Sequence, residues 1–437
     1  MADGDVAQAL PLIFQRPDSE TWELGEEAAK FLEQFDEPMS VVIIAGRYRS
    51  GKSFLLNQIL AGGGFSVGHT VESHTKGLWV CNRPLEGVTE DGERVKVLVM
   101  DSEGLGATDK DAQYDTTIFA LASLICSTLV FNGSSTINED AIQALGFVAN
   151  LTRLVRVRSK GDGDGEDGGD GGEGEGDALD ELQRFFPSFT WVLRDFSLAL
   201  VDADGQTISA DEYMEDQLEP REGYDPDTQS RNRVRRALRT FFRNRRCFTL
   251  VRPVDSEEDL QRLDTIEERS LRPEFRRGVE QLRSHLLGHA KRKTVGDRPV
   301  TGPMLASLVR SYIGAINAGG VPTIGDAWDS AAAGQCRRLQ EAACAALTTA
   351  AASSFELDLP VDSNDLRDAY TKALHAHLAH YDDEVPPGSG KAERDHREKI
   401  VEHGEELFRE VEERNHADSE KDCVRLVRTL RNTHLAP

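Results

Sequence analysis

SVVIIAGRYRSGKSFLLNQIL, residues Ser40–Leu60, decides the fold. Val41–Ala45 are consecutively apolar and end on Gly46. A short unbroken apolar run closed by glycine reads as a strand buried on both faces of a parallel sheet. Ser53–Leu60 reads as a helix. Between them, Gly46-Arg47-Tyr48-Arg49-Ser50-Gly51-Lys52-Ser53 fits G-x-x-x-x-G-K-[ST]. Strand, glycine loop and helix in this order turn backbone N–H groups inward around phosphates, and the helix N-terminus adds positive potential. The expected phosphate cradle is Gly46, Arg47, Tyr48, Arg49, Ser50, Gly51, Lys52, Ser53 and Phe54. Within it Lys52 meets the β- and γ-phosphates and the Ser53 hydroxyl ligates Mg²⁺.

Further strands are expected at Val95–Met100, Thr128–Asn132, Thr190–Leu193 and Cys247–Val251. Helices are expected at Asp115–Ile125, Asn138–Thr152 and Arg231–Phe242. The alternation predicts a mostly parallel sheet with helices on both faces. Asp101 ends the second strand, where a carboxylate sits beside the phosphate loop and can hold Mg²⁺; Gly104, three residues on, can approach the γ-phosphate. Thr70–Gly77 is a candidate switch loop, with Thr75 able to close on Mg²⁺ and phosphate. Arg194-Asp195 ends the fourth strand. An Asp there can accept from two donors of guanine, a pattern adenine lacks, although the usual N-K-x-D is absent.

The 437 residues carry a net charge of −25, which excludes a general nucleic-acid binder. Ten acids and no base lie in 161–181, and Gly161–Gly176 holds only Gly, Asp and Glu; the insertion near 160–178 reads as a disordered surface loop. Arg231–Arg246 packs eight arginines into 16 residues, read as a helix with Val234, Leu238, Phe241 and Phe242 buried and the arginines solvated and paired with acids. The six cysteines have no CxxC spacing and read as reduced thiols. No secretory signal is expected at the N-terminus, and the longest apolar run, Ile118–Phe131, is too short to span a bilayer. After Val300 only helical periodicity remains, at residues 301–316, Asp326–Ala352, Asp362–Tyr381 and Ala392–Leu435, predicting an all-α bundle. The expected domains are 1–295, binding nucleotide, and 296–437, the bundle.

The glycine loop, Ser73-His74-Thr75-Lys76-Gly77, Asp101-Ser102-Glu103-Gly104-Leu105-Gly106 and the stretch Phe185–Phe196 together resemble guanylate-binding proteins, large GTPases of the dynamin superfamily with atlastins as relatives. The likeness continues through Arg252-Pro253-Val254 and Thr301-Gly302-Pro303. It implies Mg²⁺-dependent hydrolysis of GTP to GDP and phosphate, carried on to GMP by some relatives. Arg49 then matches the internal arginine finger, Ser73 a serine positioning the attacking water, Glu103 a glutamate in that water network, and Thr75 the Mg²⁺ and γ-phosphate threonine. Arg194 and Asp195 match the guanine-reading pair. The resemblance further implies a cytoplasmic protein, peripheral on internal membranes in some relatives, that forms a homodimer through its GTP-bound domain; effector proteins stay unnamed. The family's long effector helix and prenylation box, and the membrane helices of atlastins, find no counterpart in these residues, and Asp255-Ser256-Glu257 stands where a basic stretch is common. The rival to an active hydrolase is a nucleotide-gated scaffold or membrane tether with negligible turnover; the presence of Arg49, Ser73, Thr75 and Glu103 favours hydrolysis.

Overall fold

The computed structural model describes residues 7–16, 18–19, 21–61, 64–65, 77–102, 104–105, 112–151, 155–157, 183–202, 204–263 and 265–434. Two compact units divide the chain, Met1–Trp328 and Asp329–Pro437.

The first unit is organised by β3 (Ser40–Gly46), buried at every residue. It lies parallel between β6 (Arg94–Ser102) and β7 (Thr128–Ser134), and β8 (Ser188–Arg194) and β9 (Arg245–Leu250) extend the parallel set. All five parallel strands coincide with the apolar runs. Beyond β6 the sheet turns antiparallel: β1 (Ala9–Gln15), β2 (Trp22–Leu24) and β4 (Leu78–Cys81) form the edge, in the order β2-β1-β4-β6, and β5 (Leu85–Val88) also pairs with β6. These four were not expected: β2, β4 and β5 span only three or four residues, and the apolar run of β1 is interrupted by Pro11.

Helix α1 (Glu26–Leu32) precedes β3 and α2 (Lys52–Leu60) follows its loop. Phe54, Leu55 and Ile59 of α2 join Val42 and Ile44 of β3 in one core cluster with Phe275, Leu282 and Leu286 of the Pro273–Gly288 helix. That helix was missed despite Pro273 in its first turn and a buried stripe at Phe275, Val279, Leu282 and Leu286. Helix α3 (Ala112–Ile125) forms as expected. The helix expected at Asn138–Thr152 instead breaks into Glu139–Gln143, capped by Asn138 Oδ1 accepting from the Ala141 amide at 2.9 Å, and a 3₁₀ turn, Gly146–Asn150. Gly146 lowers helix propensity where the break falls. The acidic insertion near 160–178 lies outside the described residues.

The arginine-rich segment forms the Pro226–Phe241 helix, with Val234, Leu238 and Phe241 buried as read. Of its arginines, Arg231 and Arg235 pair with Glu139 and Arg239 with Glu219, Arg233 and Arg236 stand exposed, and Arg235 is not solvated. Arg235 is 2% exposed and donates to Glu139 Oε1 at 2.6 Å and to the Gln217 carbonyl at 3.1 Å. A buried guanidinium needs such partners, and periodicity alone does not reveal them.

The Gly302–Asn317 helix, assigned by periodicity to the bundle, packs on α1, α3 and β2 of the first unit. Asn317 clasps Trp22, its Oδ1 accepting from the Trp22 amide and its Nδ2 donating to the Trp22 carbonyl, both at 2.8 Å. The second unit comprises the Ile324–Ala352 helix beyond Trp328 with Ser363–Glu384 and Gly390–His434. Its core joins Leu366, Tyr370, Phe408 and Val411 in one cluster, and Leu347, Leu378, Tyr381 and Ile400 in another. Val424, Val427 and Leu430, which share the periodicity of that core, stand exposed. No described helix is long and apolar enough to cross a membrane.

Lys293, in the strand-like strap after the Pro273–Gly288 helix, is buried in the first unit and donates from Nζ to the Cys126 carbonyl at 3.0 Å. Burial pushes its ammonium down to about 8. A lysine with a depressed folded-state pKa sheds its proton on folding, so between about pH 8 and the ordinary lysine value the unfolded chain binds more protons and stability rises with pH. The slope approaches roughly 1.4 kcal/mol per pH unit. Urea unfolding at pH 8 and pH 10 should show the native chain gaining stability relative to Lys293→Met; identical pH dependence in the two proteins would contradict the assignment.

Candidate nucleotide site

The parallel register builds the site. Ile44 of β3 stands opposite Asp101 of β6, and Gly46 opposite Asn132 of β7. The carboxyl ends of three strands therefore converge where the chain leaves β3. Gly46 has φ 155°, and a Cβ there would stand 2.4 Å from the Asn132 carbonyl oxygen, so only glycine lets the chain turn. The loop passes through the left-handed region at Arg49 (φ 61°) and Gly51 (φ 76°), and α2 begins at Lys52.

Two side chains from neighbouring strands hold this turn from outside. Asn132 Nδ2 donates to the Ser50 carbonyl at 2.7 Å and to Ser50 Oγ at 2.9 Å. Arg194 donates from Nη1 to the Gly51 carbonyl at 3.3 Å, with its guanidinium 6.0 Å from the Phe54 ring centre and 5.6 Å from that of Phe275. Burial lowers the Arg194 pKa, and the Asp195 charge works the other way. Within the loop the Ser50 amide donates to the Arg47 carbonyl at 3.2 Å, so the turn is closed on itself as well as held from β7 and β8. A third contact comes from beyond β6: the Tyr48 amide donates to the Leu105 carbonyl at 2.9 Å and the Leu105 amide to that of Gly46 at 3.0 Å. Gly104 makes this possible, since a Cβ on it would lie 2.4 Å from Tyr48 Cα.

At the start of α2, Ser53 Oγ donates to Asp101 Oδ2 at 2.6 Å. Asp101 is fully buried, and its Oδ1 has no hydrogen-bond partner among the described residues. Burial pushes the carboxyl up to about 6, against the pull of the Lys52 charge, the Ser53 hydroxyl and the Ser102 amide. Lys52 Nζ is buried and donates to the Arg47 carbonyl at 3.3 Å. Arg49 is exposed, with its guanidinium 5.6 Å from the Tyr48 ring centre. Asp195 is exposed, in the left-handed region at φ 56°, between an Arg194 carbonyl that accepts from the Ser135 amide at 2.6 Å and a Phe196 amide that donates to Leu250 at 3.0 Å. Arg252, bonded to Glu257 at 2.7 Å, senses the Asp195 charge.

The structure thus brings Gly46–Phe54, Asp101, Gly104, Arg194 and Asp195 to one end of the sheet. It turns the Arg194 guanidinium inward onto the loop while Asp195 stays outward. Ser73, Thr75 and Glu103 lie outside the described residues. Sequence reading missed Asn132 as a site residue; its signal was a polar side chain closing an otherwise apolar central strand.

Family comparison agrees with this architecture. The model described as "Guanylate-binding protein, N-terminal domain" matches residues 19–295, and "Guanylate-binding protein, C-terminal domain" matches 296–434. The chain belongs to the guanylate-binding protein family. It is 38% identical over 324 residues to Guanylate-binding protein 6 of Mus musculus, covering 73% of this chain and 50% of that one. It is 40% identical over 308 residues to Guanylate-binding protein 2 of Homo sapiens (70% and 49%) and 41% over 306 to Guanylate-binding protein 1 of Homo sapiens (69% and 49%). The chain spans about half the length of these relatives.

Removing the Asn132 amide leaves the part-buried Ser50 carbonyl without this donor, at a cost of about 1 kcal/mol. Asn132→Ala should weaken the affinity of this loop for a nucleoside triphosphate by about fivefold, measured by calorimetric titration. Native affinity in this variant would show that the loop needs no support from β7.

Proposed function

We propose that the chain is a Mg²⁺-dependent GTP hydrolase of the guanylate-binding type. The observation that carries this reading is the Ser53–Asp101 pair at the foot of the glycine loop, with one buried carboxylate oxygen left without a partner. A hydroxyl and a carboxylate are hard oxygen donors, the set Mg²⁺ takes when it shares phosphates with a protein. Ser53 and Asp101 would hold the cation, Asp101 directly or through water, with Thr75 as the third residue. The cation would neutralise charge on the β- and γ-phosphates. Lys52 adds its ammonium to the same phosphates, and the loop amides bind their oxygens.

Asp195 accepts from guanine, being exposed and held at a strained backbone angle beside Arg252. Arg194 serves that recognition indirectly, by bracing Gly51. Arg49 is the arginine finger. It is exposed on the loop, and pairing of two GTP-bound domains is what would steer it onto the γ-phosphate. Ser73 and Glu103 position the attacking water, as the family resemblance implies. The nucleotide-binding domain is taken as 1–295 and the bundle domain as 296–437, in a cytoplasmic protein that forms homodimers through the first.

Turnover measured with GTP and with ATP across protein concentrations tests the reading. GTP should be cleaved, ATP not, and specific activity should rise with concentration. GTP bound without turnover at any concentration would favour a nucleotide-gated scaffold. Arg49→Ala should keep GTP affinity, since Lys52 and the amides remain, and lose between roughly tenfold and 10⁵-fold in turnover; unchanged turnover would remove Arg49 from the finger role. Asp195→Asn should weaken GTP binding and admit xanthine nucleotides better, and equal native affinity for ATP and GTP would refute Asp195 as the guanine reader.

A further inference from the structure

At the other end of the parallel strands from the glycine loop, a cleft of about 330 Å³ opens among the amino ends of β7, β8 and β9. Thr128 and Ser188, the first residues of β7 and β8, line it. Its charged walls come from three segments: Arg243, Arg245 and Arg246 at and just before the start of β9; His285 in the last turn of the Pro273–Gly288 helix with His289 and Lys291 just beyond it; and Glu90. None of these has a part in the nucleotide site.

The charges do not cancel. Arg245 is paired with Glu215 and Arg246 with Asp211, both at 2.8 Å. Among the described residues Arg243 and Lys291 form no ion pair. Two unpaired cations and two imidazoles therefore face one exposed acid, Glu90, in a chain whose net charge is −25. Burial lowers the His285 pKa, and His289, Arg246 and Lys291 lower it further against the opposing pull of Asp211, as a locally positive field requires. The negative end of the helix macrodipole offsets part of that field for His289 and Lys291. It does not account for Arg243, which belongs to another element. The cleft sits at the lower end of the size range for small-ligand sites, roughly 300–1,000 Å³. A compact ligand with several acceptor oxygens and at least two negative charges matches both volume and field.

We propose that this cleft binds a compact group carrying two or more phosphoryl units, held by Arg243 and Lys291 with His285 and His289 as further donors. A free oligophosphate and a phosphorylated lipid headgroup offer the same chemistry. Glu90 stands against the ligand, so removing its charge should improve binding. This claim is independent of the proposed hydrolysis.

The test uses the full chain and its Lys52→Ala form, so that binding at the glycine loop is separated from binding in the cleft. The probes are inorganic pyrophosphate, followed by calorimetry, and phosphatidylcholine vesicles with and without phosphatidylinositol bisphosphate, followed by co-sedimentation. At least one probe should bind both forms. Arg243→Gln with Lys291→Gln should weaken that binding by about tenfold or more, and Glu90→Gln should strengthen it several-fold. A gain from Glu90→Gln cannot arise from misfolding. Arg233→Gln with Arg236→Gln, exposed positions on the arginine-rich helix, should leave it unchanged. The proposal is overturned if neither probe binds the Lys52→Ala form, if the Arg233 and Arg236 changes weaken binding as much as those in the cleft, or if Glu90→Gln has no effect.

Discussion

The hydrogen bond from Ser53 to the buried Asp101 is the point at which the sheet and the glycine loop become one object. It exists because β3 and β6 run parallel in a register that sets Ile44 beside Asp101. The chain can then leave β3 at Gly46, turn, and return at the first turn of α2 with Ser53 against that carboxylate. A one-residue slip in the pairing would send Asp101 to the opposite face of the sheet. The apolar burial that forces β3 and β6 together is thus the same constraint that places the polar pair. The cost is a carboxylate taken out of water, visible in its raised pKa and in an oxygen without a partner. A bound cation, as in the proposed Mg²⁺ site, would stabilise such a group.

The loop itself is held in a conformation with Arg49 and Gly51 both in the left-handed region. A turn of that kind persists only where its surroundings over-determine it. Here the surroundings are Asn132 from β7, Arg194 from β8 and the Gly104–Leu105 segment after β6, gripping from three sides. Arg194 also precedes Asp195, so the segment that would read the base and the loop that would hold the phosphates share one side chain. Displacing either is felt at the other.

Much of this was legible in the sequence, for physical reasons that also mark the limits. Parallel strands covered on both faces must be apolar throughout, so β3, β6, β7, β8 and β9 stood out as runs. Edge strands such as Leu85–Val88 bury one residue in four and leave no such trace. The glycine loop, Asp101 and Asp195 could be placed at strand ends because apolar runs end where the chain turns, and the parallel register sets those ends side by side; a base-reading role for Asp195 comes from the family resemblance and not from its spacing. The direction of a long side chain was not. Nothing in the spacing distinguishes an Arg194 aimed at a base from one folded back over Phe54 and Phe275, and Arg235 looked like any other arginine of a solvated face. Asn132 was visible as a residue and invisible as a contact, because its partner, Ser50, is 82 positions away.

Ser53 and Asp101 should complete their coordination with a nucleotide-bound cation. The direct measurement is GTP affinity, by calorimetry, with Mg²⁺ and with a chelator, for the native chain and for Asp101→Asn. Binding to the native chain should tighten markedly with Mg²⁺, and Asp101→Asn should lose most of that difference. Equal affinity with and without the metal in the native chain, or a Mg²⁺ effect undiminished in Asp101→Asn, would contradict it.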